Sequence, residues 1–309
     1  MTSNQGAPAP TAEAKDDQTS TGDASPNRRG VWKFVIPVAI ILVIAYVAGI
    51  FAFKSSDGSF TISGDDTQVQ SGIQVTASMV AIEPASEQLS VRLQFTPVGD
   101  FADQNGDPAK NVTIFVNAYS GKTSIDLTKG KPAAPEQIKL YSAGNWSQYP
   151  LDTYKGTLYV DATTGADNAE SVPVSIDTAS GLAGWSMKVT KPDTLGPNDV
   201  PSATYTLSRP FVTKAYAGIV LFLFILIALV AIFVAIAVGG MRRRIEPALL
   251  GWGAALLFAV PALRNAMPGA PPIGAWIDVL VFLWVIVLII IAYLVVVATW
   301  IRKSPPPQK

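Results

Sequence analysis

The stretch AYAGIVLFLFILIALVAIFVAIAVGG, residues 215–240, decides the class of this protein. It contains no charged side chain, and as a helix rising about 1.5 Å per residue it is about 39 Å long. That length exceeds the ~30 Å hydrocarbon core of a bilayer. The basic run Met241-Arg-Arg-Arg244 follows at once. The sequence therefore predicts a membrane-spanning helix that ends at a cytoplasmic surface, because cytoplasmic loops carry an excess of Arg and Lys.

Three further apolar segments predict the rest of the membrane region. The first, Phe34 to Phe53, carries no charge, and a cleaved signal peptide is its alternative interpretation. An uncleaved anchor is favoured, since signal peptides usually have apolar cores of about 7–15 residues. The shortest segment is Ala248 to Leu263, and the last is Val279 to Ile301. We expect four spans, at 31–53, about 215–240, about 247–263 and about 279–301, with the last three forming a helical region over 213–301.

The basic residues that flank these spans predict the orientation of the chain. The positive-inside rule places all of them in the cytoplasm, and four spans are needed to bring them to one side. Residues 1–30, rich in Ala, Thr, Ser, Pro, Asp and Gly, then form a disordered cytoplasmic tail, and residues 302–309 form a second cytoplasmic tail. We therefore expect a multi-pass protein of the plasma (inner) membrane with residues 54–212 outside the cytoplasm. The flanking residues are Arg28, Arg29, Lys33, Arg242–Arg244, Arg302, Lys303 and Lys309.

Residues 54–212 follow a β pattern. In Leu89-Ser-Val91-Arg-Leu93-Gln-Phe95 apolar and polar residues alternate, which is typical of a strand with one buried face. Gly, Pro, Asn and Asp separate such runs, and no long helical pattern occurs among them. The segment is predicted to be an all-β, antiparallel, sandwich-like domain. The runs are Ile73–Ile82, Leu89–Phe95, Val112–Val116, Thr157–Val160, Val172–Ile176, Met187–Val189 and Thr204–Leu207.

Composition excludes several classes of function. The chain has no Cys and no His, so thiol catalysis, His general bases, Ser-His-Asp triads and His/Cys zinc sites cannot form within it. Residues 54–212 hold 17 acidic and 11 basic residues, a net charge of −6, which argues against nucleic acid as a partner. The apolar segments of the predicted spans, the first taken from Phe34, contain no Asp, Glu, Lys or Arg, which argues against an ion-coupled transporter. We expect no cofactor and no enzymatic activity.

The string Asp103-Gln-Asn105-Gly-Asp107 is the one candidate for metal binding, because Ca²⁺ prefers oxygen ligands at alternate positions. A calcium loop would place Gly at its sixth position and Glu at its twelfth, where this chain has Pro108 and Ile114. An acidic turn between two strands is the favoured interpretation.

Two further segments combine polar and rigid residues. The densest aromatic cluster of the β domain is Trp146-Ser-Gln-Tyr149-Pro150-Leu-Asp152-Thr-Tyr154. It is interpreted either as a ligand-binding rim or, preferably, as the entry to a strand.

Arg264 and Asp278 bracket a loop between the last two spans and could meet at its mouth. The Pro and Gly residues of that loop would stiffen it and supply its turns. They are Pro268, Gly269, Pro271, Pro272 and Gly274, which follow Asn265.

Small residues form a stripe on the third predicted span, where Gly251, Ala255 and Ala259 recur every four residues. Such a stripe suits close helix packing. Packing within the helical bundle is the favoured interpretation, and an interface with a partner helix is the alternative.

The string from Leu250 to Gly274, followed by Asp278 and Phe282-Leu-Trp284, resembles the domain of unknown function 4436 family of uncharacterised membrane proteins, common in actinobacteria. Tyr149-Pro150-Leu-Asp152-Thr-Tyr154 is similar to that family's aromatic-Pro-x-Asp-x-Tyr segment. The resemblance covers about residues 31–302. It implies one span, a β domain and three more spans, and it implies no activity.

Together these features predict a non-enzymatic cell-envelope protein whose β domain binds or scaffolds a partner outside the membrane. An accessory subunit of a transporter or channel is the alternative, and a carboxylate-dependent envelope hydrolase is a third possibility. The expected partners are the lipid bilayer and another envelope membrane protein.

Overall fold

The computed structural model describes residues 60–63, 68–165, 170–191, 200–240, 246–269 and 271–303. The predicted first span at 31–53, the predicted tail at 1–30, the basic cluster at 242–244, and residues 304–309 of the tail predicted at 302–309 lie outside these residues. Within the described residues a β domain precedes three helices.

Twelve strands of the β domain lie within the described residues. All seven predicted runs coincide with strands, although the run that begins at Val172 enters its strand only at Val174, after Pro173. The strands are β1 (Phe60–Ser63), β2 (Gly72–Glu83), β3 (Gln88–Val98), β4 (Val112–Val116), β5 (Ser124–Leu127), β6 (Glu136–Tyr141), β7 (Ala143–Gly144), β8 (Thr153–Thr164), β9 (Glu170–Ser171), β10 (Val174–Ser180), β11 (Ser186–Thr190) and β12 (Ser202–Ser208).

The strands form two sheets that enclose one core. The larger sheet has the order β1-β11-β12-β8-β4-β5, with β7 and β9 also paired to β8, and the smaller has the order β10-β2-β3-β6. The alternation predicted in β3 is present, since Leu89, Val91, Leu93 and Phe95 are all buried. They join the buried side chains of the larger sheet in a single hydrophobic cluster, so the sandwich has one core.

Two strand pairs correct the prediction of a purely antiparallel sandwich. β1 pairs with β11 in parallel, and β10 pairs with β2 in parallel with Val174 opposite Ile73. The remaining pairs of named strands are antiparallel. Parallel neighbours need long connections, and β2 and β10 are separated by most of the domain. The hydrophobic period of a strand reports which face is buried and does not report the direction of its partner.

Three helices follow the sandwich, α1 (Phe211–Gly239), α2 (Ala248–Asn265) and α3 (Leu283–Lys303). A single π-helical turn, Asp278–Phe282, precedes α3 and continues into it. Each of the three, with α3 taken together with this turn as Asp278–Lys303, is long and apolar enough to cross a membrane by length and composition. They match the second, third and fourth predicted spans, and α1 begins four residues before Ala215.

Helix packing corrects the predicted role of the small-residue stripe on α2. Gly251, Ala255 and Ala259 are exposed and do not face the other described helices. Gly253, on a neighbouring face, makes the close approach instead, because a Cβ there would lie 2.5 Å from Cδ2 of Tyr293 on α3. The four-residue period identifies one face of an α-helix. It does not say which face meets a neighbouring helix. At Gly253 a single glycine at the crossing point allows α2 and α3 to approach closely.

Candidate functional site

The candidate site lies where the sandwich meets the helices, and its first element is the loop that leads into β8. Asn145 caps a short 3-10 turn by accepting hydrogen bonds from the backbone N–H of Ser147, at 3.0 Å, and from its hydroxyl, at 2.6 Å. A cis peptide bond joins Tyr149 to Pro150. Asp152 then precedes the first residue of β8, so the loop presents Tyr149 and Asp152 at the end of a central strand.

Arg209 is the partner of Asp152, and both side chains are buried. Nε of Arg209 lies 3.2 Å from each carboxylate oxygen of Asp152. The guanidinium carbon also lies 3.9 Å from the centroid of the Trp185 ring and 5.3 Å from that of Tyr149. A buried charge is stable only when it is paired, and the two aromatic faces add a favourable cation–π contribution. The ion pair therefore fixes the chain direction between β12 and α1.

Tyr149 connects the same loop to the other side of the junction. Its hydroxyl donates a hydrogen bond of 2.8 Å to the carbonyl oxygen of Pro268, in the loop between α2 and α3. The side chain is buried in the same cluster as Met267, Ala275 and Ile277. Burial raises the pKa of Tyr149 to about 12, since the phenolate would lose its hydration there. Tyr149 therefore stays neutral and remains a hydrogen-bond donor at physiological pH.

The loop between α2 and α3 is held closed by an ion pair of its own. Nε of Arg264 donates to Asp278 Oδ1 at 2.9 Å, and its Nη2 donates to Oδ2 at 2.6 Å. Nη2 also donates to the carbonyl of Pro272 at 3.3 Å, and the backbone N–H of Gly274 donates to Asp278 Oδ2 at 2.9 Å. Two charged residues at the ends of two apolar helices thus organise the whole turn, as the sequence suggests for Arg264 and Asp278.

Gly269 allows that loop to reach the sandwich. Its φ of +75° lies in the left-handed region, and a Cβ at this position would lie 2.3 Å from Nη1 of Arg209. A side chain here would both strain the backbone and displace the guanidinium. Gly274, with a φ of +103°, needs its conformational freedom in the same loop, where a Cβ would make only ordinary contact with Trp146.

Most of the site residues predicted from the sequence meet at this junction. Tyr154 packs edge-on against Trp185 with ring centroids 5.5 Å apart, and its burial and the neighbouring Asp152 raise the pKa of its phenol. Pro271 is buried, whereas Asn265, the last residue of α2, is exposed. The residues brought together are Tyr149, Pro150, Asp152, Tyr154, Arg264, Pro268, Gly269, Pro271, Pro272, Gly274 and Asp278.

Arg209 and Trp185 were missed by sequence reasoning. A usable signal existed for Arg209, since it is a cation directly between the last strand run and an apolar span, where a charge needs a partner. Trp185 lies in a turn before β11 with no pattern around it, and only its position in the fold brings it to Arg209.

The candidate metal string Asp103–Asp107 forms an acidic turn. Asp103 Oδ1 accepts hydrogen bonds from the backbone N–H groups of Asn105, at 2.8 Å, and Asp107, at 2.9 Å. The backbone N–H of Asp103 in turn donates to the Asp107 carbonyl at 2.8 Å. These bonds are those of an Asx-type turn, which is the favoured interpretation of the string. Nowhere in the described ranges do three or more Asp, Glu, His or Cys side chains form a group that could hold a metal ion.

Comparison with family models divides the chain at this junction. Residues 63–207 match the model of a domain of unknown function, DUF4436, and residues 209–303 match that of a second domain of unknown function, DUF8686. The resemblance to the first family is confirmed, over a shorter range than the expected 31–302. The string from Leu250 to Gly274 lies within the second match. No curated protein matches the chain.

Proposed function

We propose that this chain, whose residues 63–207 match the DUF4436 family model, is a non-enzymatic protein of the plasma membrane that presents its sandwich outside the cytoplasm and binds or scaffolds a partner there. The observation that carries the proposal is the pair of interactions that fix the sandwich to the helices, Asp152 to Arg209 and Tyr149 to Pro268.

A fixed junction supports presentation of the domain better than simple anchoring. Only two residues, Arg209 and Pro210, separate the end of β12 from the start of α1. One of them is buried in an ion pair, so this connection is not a flexible linker. A binding surface with a defined orientation loses less conformational freedom when a partner binds. A domain that needed only to be retained at the membrane would have no use for this arrangement.

The packing of the helices supports the proposed topology. The start of α1, the end of α2 and the turn before α3 lie together at the junction, since Arg264 pairs with Asp278 and Gly269 adjoins Arg209. At the opposite end, Nζ of Lys303 lies 3.4 Å from the carbonyl oxygen of Val238. Arg302 and Lys303 therefore lie away from the sandwich, and by the positive-inside rule this supports a sandwich outside the cytoplasm. Four spans with both termini in the cytoplasm satisfy this arrangement.

An accessory subunit of a transporter or channel is the alternative function, and one observation favours it. Gly251, Ala255 and Ala259 face away from the other described helices. A small-residue stripe in that position would allow a helix of another membrane protein to approach closely.

The carboxylates offer little support for a hydrolase. Asp152 and Asp278 are the buried carboxylates of the described residues, and each is occupied by an Arg side chain. A general acid must carry a proton and reach its substrate. A bound guanidinium opposes both, because it favours the ionised carboxylate and occupies the carboxylate oxygens. Together with the absence of His and Cys, these pairings support a binding function.

Site-specific photo-cross-linking in intact cells separates the two functions. A benzoylphenylalanine residue would replace Tyr159, which is exposed on the outer face of β8, or Ala255, on the α2 stripe. A specific cross-linked protein from position 159 supports the binding function. Cross-linking from position 255 alone to a larger multi-pass protein supports the accessory subunit. Intact protein without a cross-link from either position would count against both.

A further inference from the structure

We propose that the base of the sandwich itself contacts lipid, with Leu151 seated in the headgroup layer of the outer leaflet. This inference rests on the proposed membrane location and adds that the sandwich rests directly on the bilayer. A lipid surface is the single occupant assigned to the apolar rim that Leu151, Phe211 and Ile273 form.

The position of Leu151 is fixed from both sides. Tyr149, two residues before it, is bonded to Pro268, and Asp152, one residue after it, is bonded to Arg209. Arg209 in turn lies two residues before the first residue of α1. Because consecutive Cα atoms are about 3.8 Å apart, Leu151 cannot lie far from the outer ends of the helices. It therefore occupies the same level as the helix termini.

Three separate segments expose a large apolar side chain at this level. Leu151 in the sandwich is 64% exposed, Phe211 at the start of α1 is 74% exposed, and Ile273 in the loop before α3 is 88% exposed. Single exposed apolar residues are ordinary on protein surfaces. Here Phe211 adjoins an apolar surface, since α1 continues with exposed Ile219 and Phe222 along its length, and Leu151 and Ile273 lie at the level of Phe211. The rim is therefore the upper margin of the lipid-facing surface.

Aromatic residues mark the same level. Tyr216 is exposed in the second turn of α1, and Trp276 is exposed just before the π-helical turn that leads into α3. Tyr and Trp are enriched where membrane proteins cross from hydrocarbon to headgroups, because their rings are amphipathic. Lys214, in the first turn of α1, sets an upper limit for the hydrocarbon core.

The length of α1 places Leu151 at a definite depth. If hydrocarbon begins near Ala215, just after Lys214, Phe211 lies about 6 Å above that boundary, given a rise of about 1.5 Å per residue. The headgroup layer is about 5–8 Å thick on each side of a ~30 Å core. Leu151 would then lie within the headgroups, roughly 20 Å from the bilayer centre. A second protein at this surface would have to displace lipid from around Phe211 and Ile273.

Depth-dependent fluorescence quenching tests this proposal in the full chain. The native sequence has no Cys, so single cysteines at Leu151, Ile273 or Thr128 can carry an NBD fluorophore without background. Thr128 is the distal control, because Leu127 pairs with Val112 and Val112 with Thr164, at the far end of β8. β8 extends about 36 Å from its first residue, at about 3.3 Å per residue. The labelled proteins are reconstituted into phosphatidylcholine vesicles carrying a nitroxide on the headgroup or at the end of an acyl chain.

The proposal expects headgroup nitroxide to quench the label at 151 about as strongly as the label at 273, with little quenching at 128. Nitroxide at the chain end should quench neither 151 nor 273 strongly. Quenching at 273 but not at 151 would overturn the inference and leave the proposed function intact. Equal quenching at 128 and 151 would also overturn it, because the sandwich would then lie on its side. Loss of quenching at both 151 and 273 would refute the membrane location as well.

Discussion

Asp152 and Arg209 form a buried ion pair that crosses the boundary between the two matched families. Asp152 lies in the segment 63–207 and Arg209 is the first residue of the segment 209–303. The hydrogen bond from Tyr149 to Pro268 crosses the same boundary. The first family match ends at residue 207 and the second begins at residue 209. The two matched domains are thus joined by side-chain contacts as well as by the backbone. This relationship makes the junction a structural unit whose parts can be tested separately.

Removing one partner of the ion pair should destabilise the protein strongly. Asp152→Asn would leave the Arg209 guanidinium buried without a counter-charge, at an expected cost of about 3–5 kcal/mol. Thermal unfolding in detergent, followed by circular dichroism in the β region, measures the effect. Glu136→Gln is the control, because it breaks the more exposed Lys122–Glu136 pair, whose loss costs about 1 kcal/mol or less.

Replacing both partners should recover part of that loss. In the double variant Asp152→Leu, Arg209→Met no charge is left unpaired, and apolar side chains of similar length fill the space between Trp185 and Tyr149. We expect an unfolding midpoint above that of Asp152→Asn. A midpoint equal to or below that of the single variant would show that the pair does more than neutralise a buried charge.

Tyr149→Phe should loosen the contact between the sandwich and the loop between α2 and α3. The variant keeps the buried ring and loses the hydrogen bond to the Pro268 carbonyl, at a cost of about 0.5–1.5 kcal/mol. Hydrogen exchange of the backbone should accelerate in residues 273–277 and stay unchanged in β2 and β3. Tyr159→Phe, at an exposed position, is the matched control. Unchanged exchange in the loop would mean that this hydrogen bond does not hold the two parts together.

Gly269→Ala should destabilise the junction by more than its backbone strain alone. The strained φ costs about 1–3 kcal/mol, and the new Cβ must also displace Nη1 of Arg209. Gly130→Ala isolates the effect of strain, since Gly130 has a similar φ of +70° and a Cβ added there would meet no atom within 4 Å. Unfolding midpoints of both variants give the comparison, and equal shifts would argue against the close approach at Arg209.

Alkaline pH should unfold the sandwich through its buried tyrosines. Burial raises the pKa of Tyr149 and of Tyr205 to about 12, from an ordinary value of 10.0. A pKa raised in the folded state means that the unfolded state releases the proton first. The stability contributed by each phenol is complete below pH 10 and is lost as the pH rises from 10 towards 12. Tyr205→Phe should reduce this loss, as measured by denaturant unfolding at a series of pH values.

The topology can be tested with the same cysteine-free background. Single cysteines at Thr128 and Ala270 should react with a membrane-impermeant maleimide in intact cells, and those at Ser3 and Ser304 should not. Detergent permeabilisation should make all four reactive. Reaction at 304 in intact cells would mean that an odd number of spans separates it from the N-terminal tail, and the positive-inside assignment would fail.

Local sequence patterns were sufficient to predict many of the helices and strands. The charge-free run at 215–240 predicted α1 because hydrocarbon excludes charges and demands an intrasegment hydrogen-bond partner for every backbone group. The alternation in Leu89–Phe95 predicted a half-buried strand because successive side chains point to opposite faces. The short strands β5 and β6 were missed, since Ser124–Leu127 and Glu136–Tyr141 carry too few apolar residues to stand out from turns.

The sequence by itself determined the classes of structure, a β domain beside apolar helices, because burial and membrane depth act on short stretches of chain. It also determined the chemistry that the chain lacks, since His and Cys are absent. Only the tertiary structure decided which residues meet. The parallel pairing of β2 with β10, the outward direction of Gly251, and the position of Arg209 between Asp152 and Trp185 depend on segments far apart in the chain. Such contacts follow from how whole sheets and helices pack, and no local period encodes them.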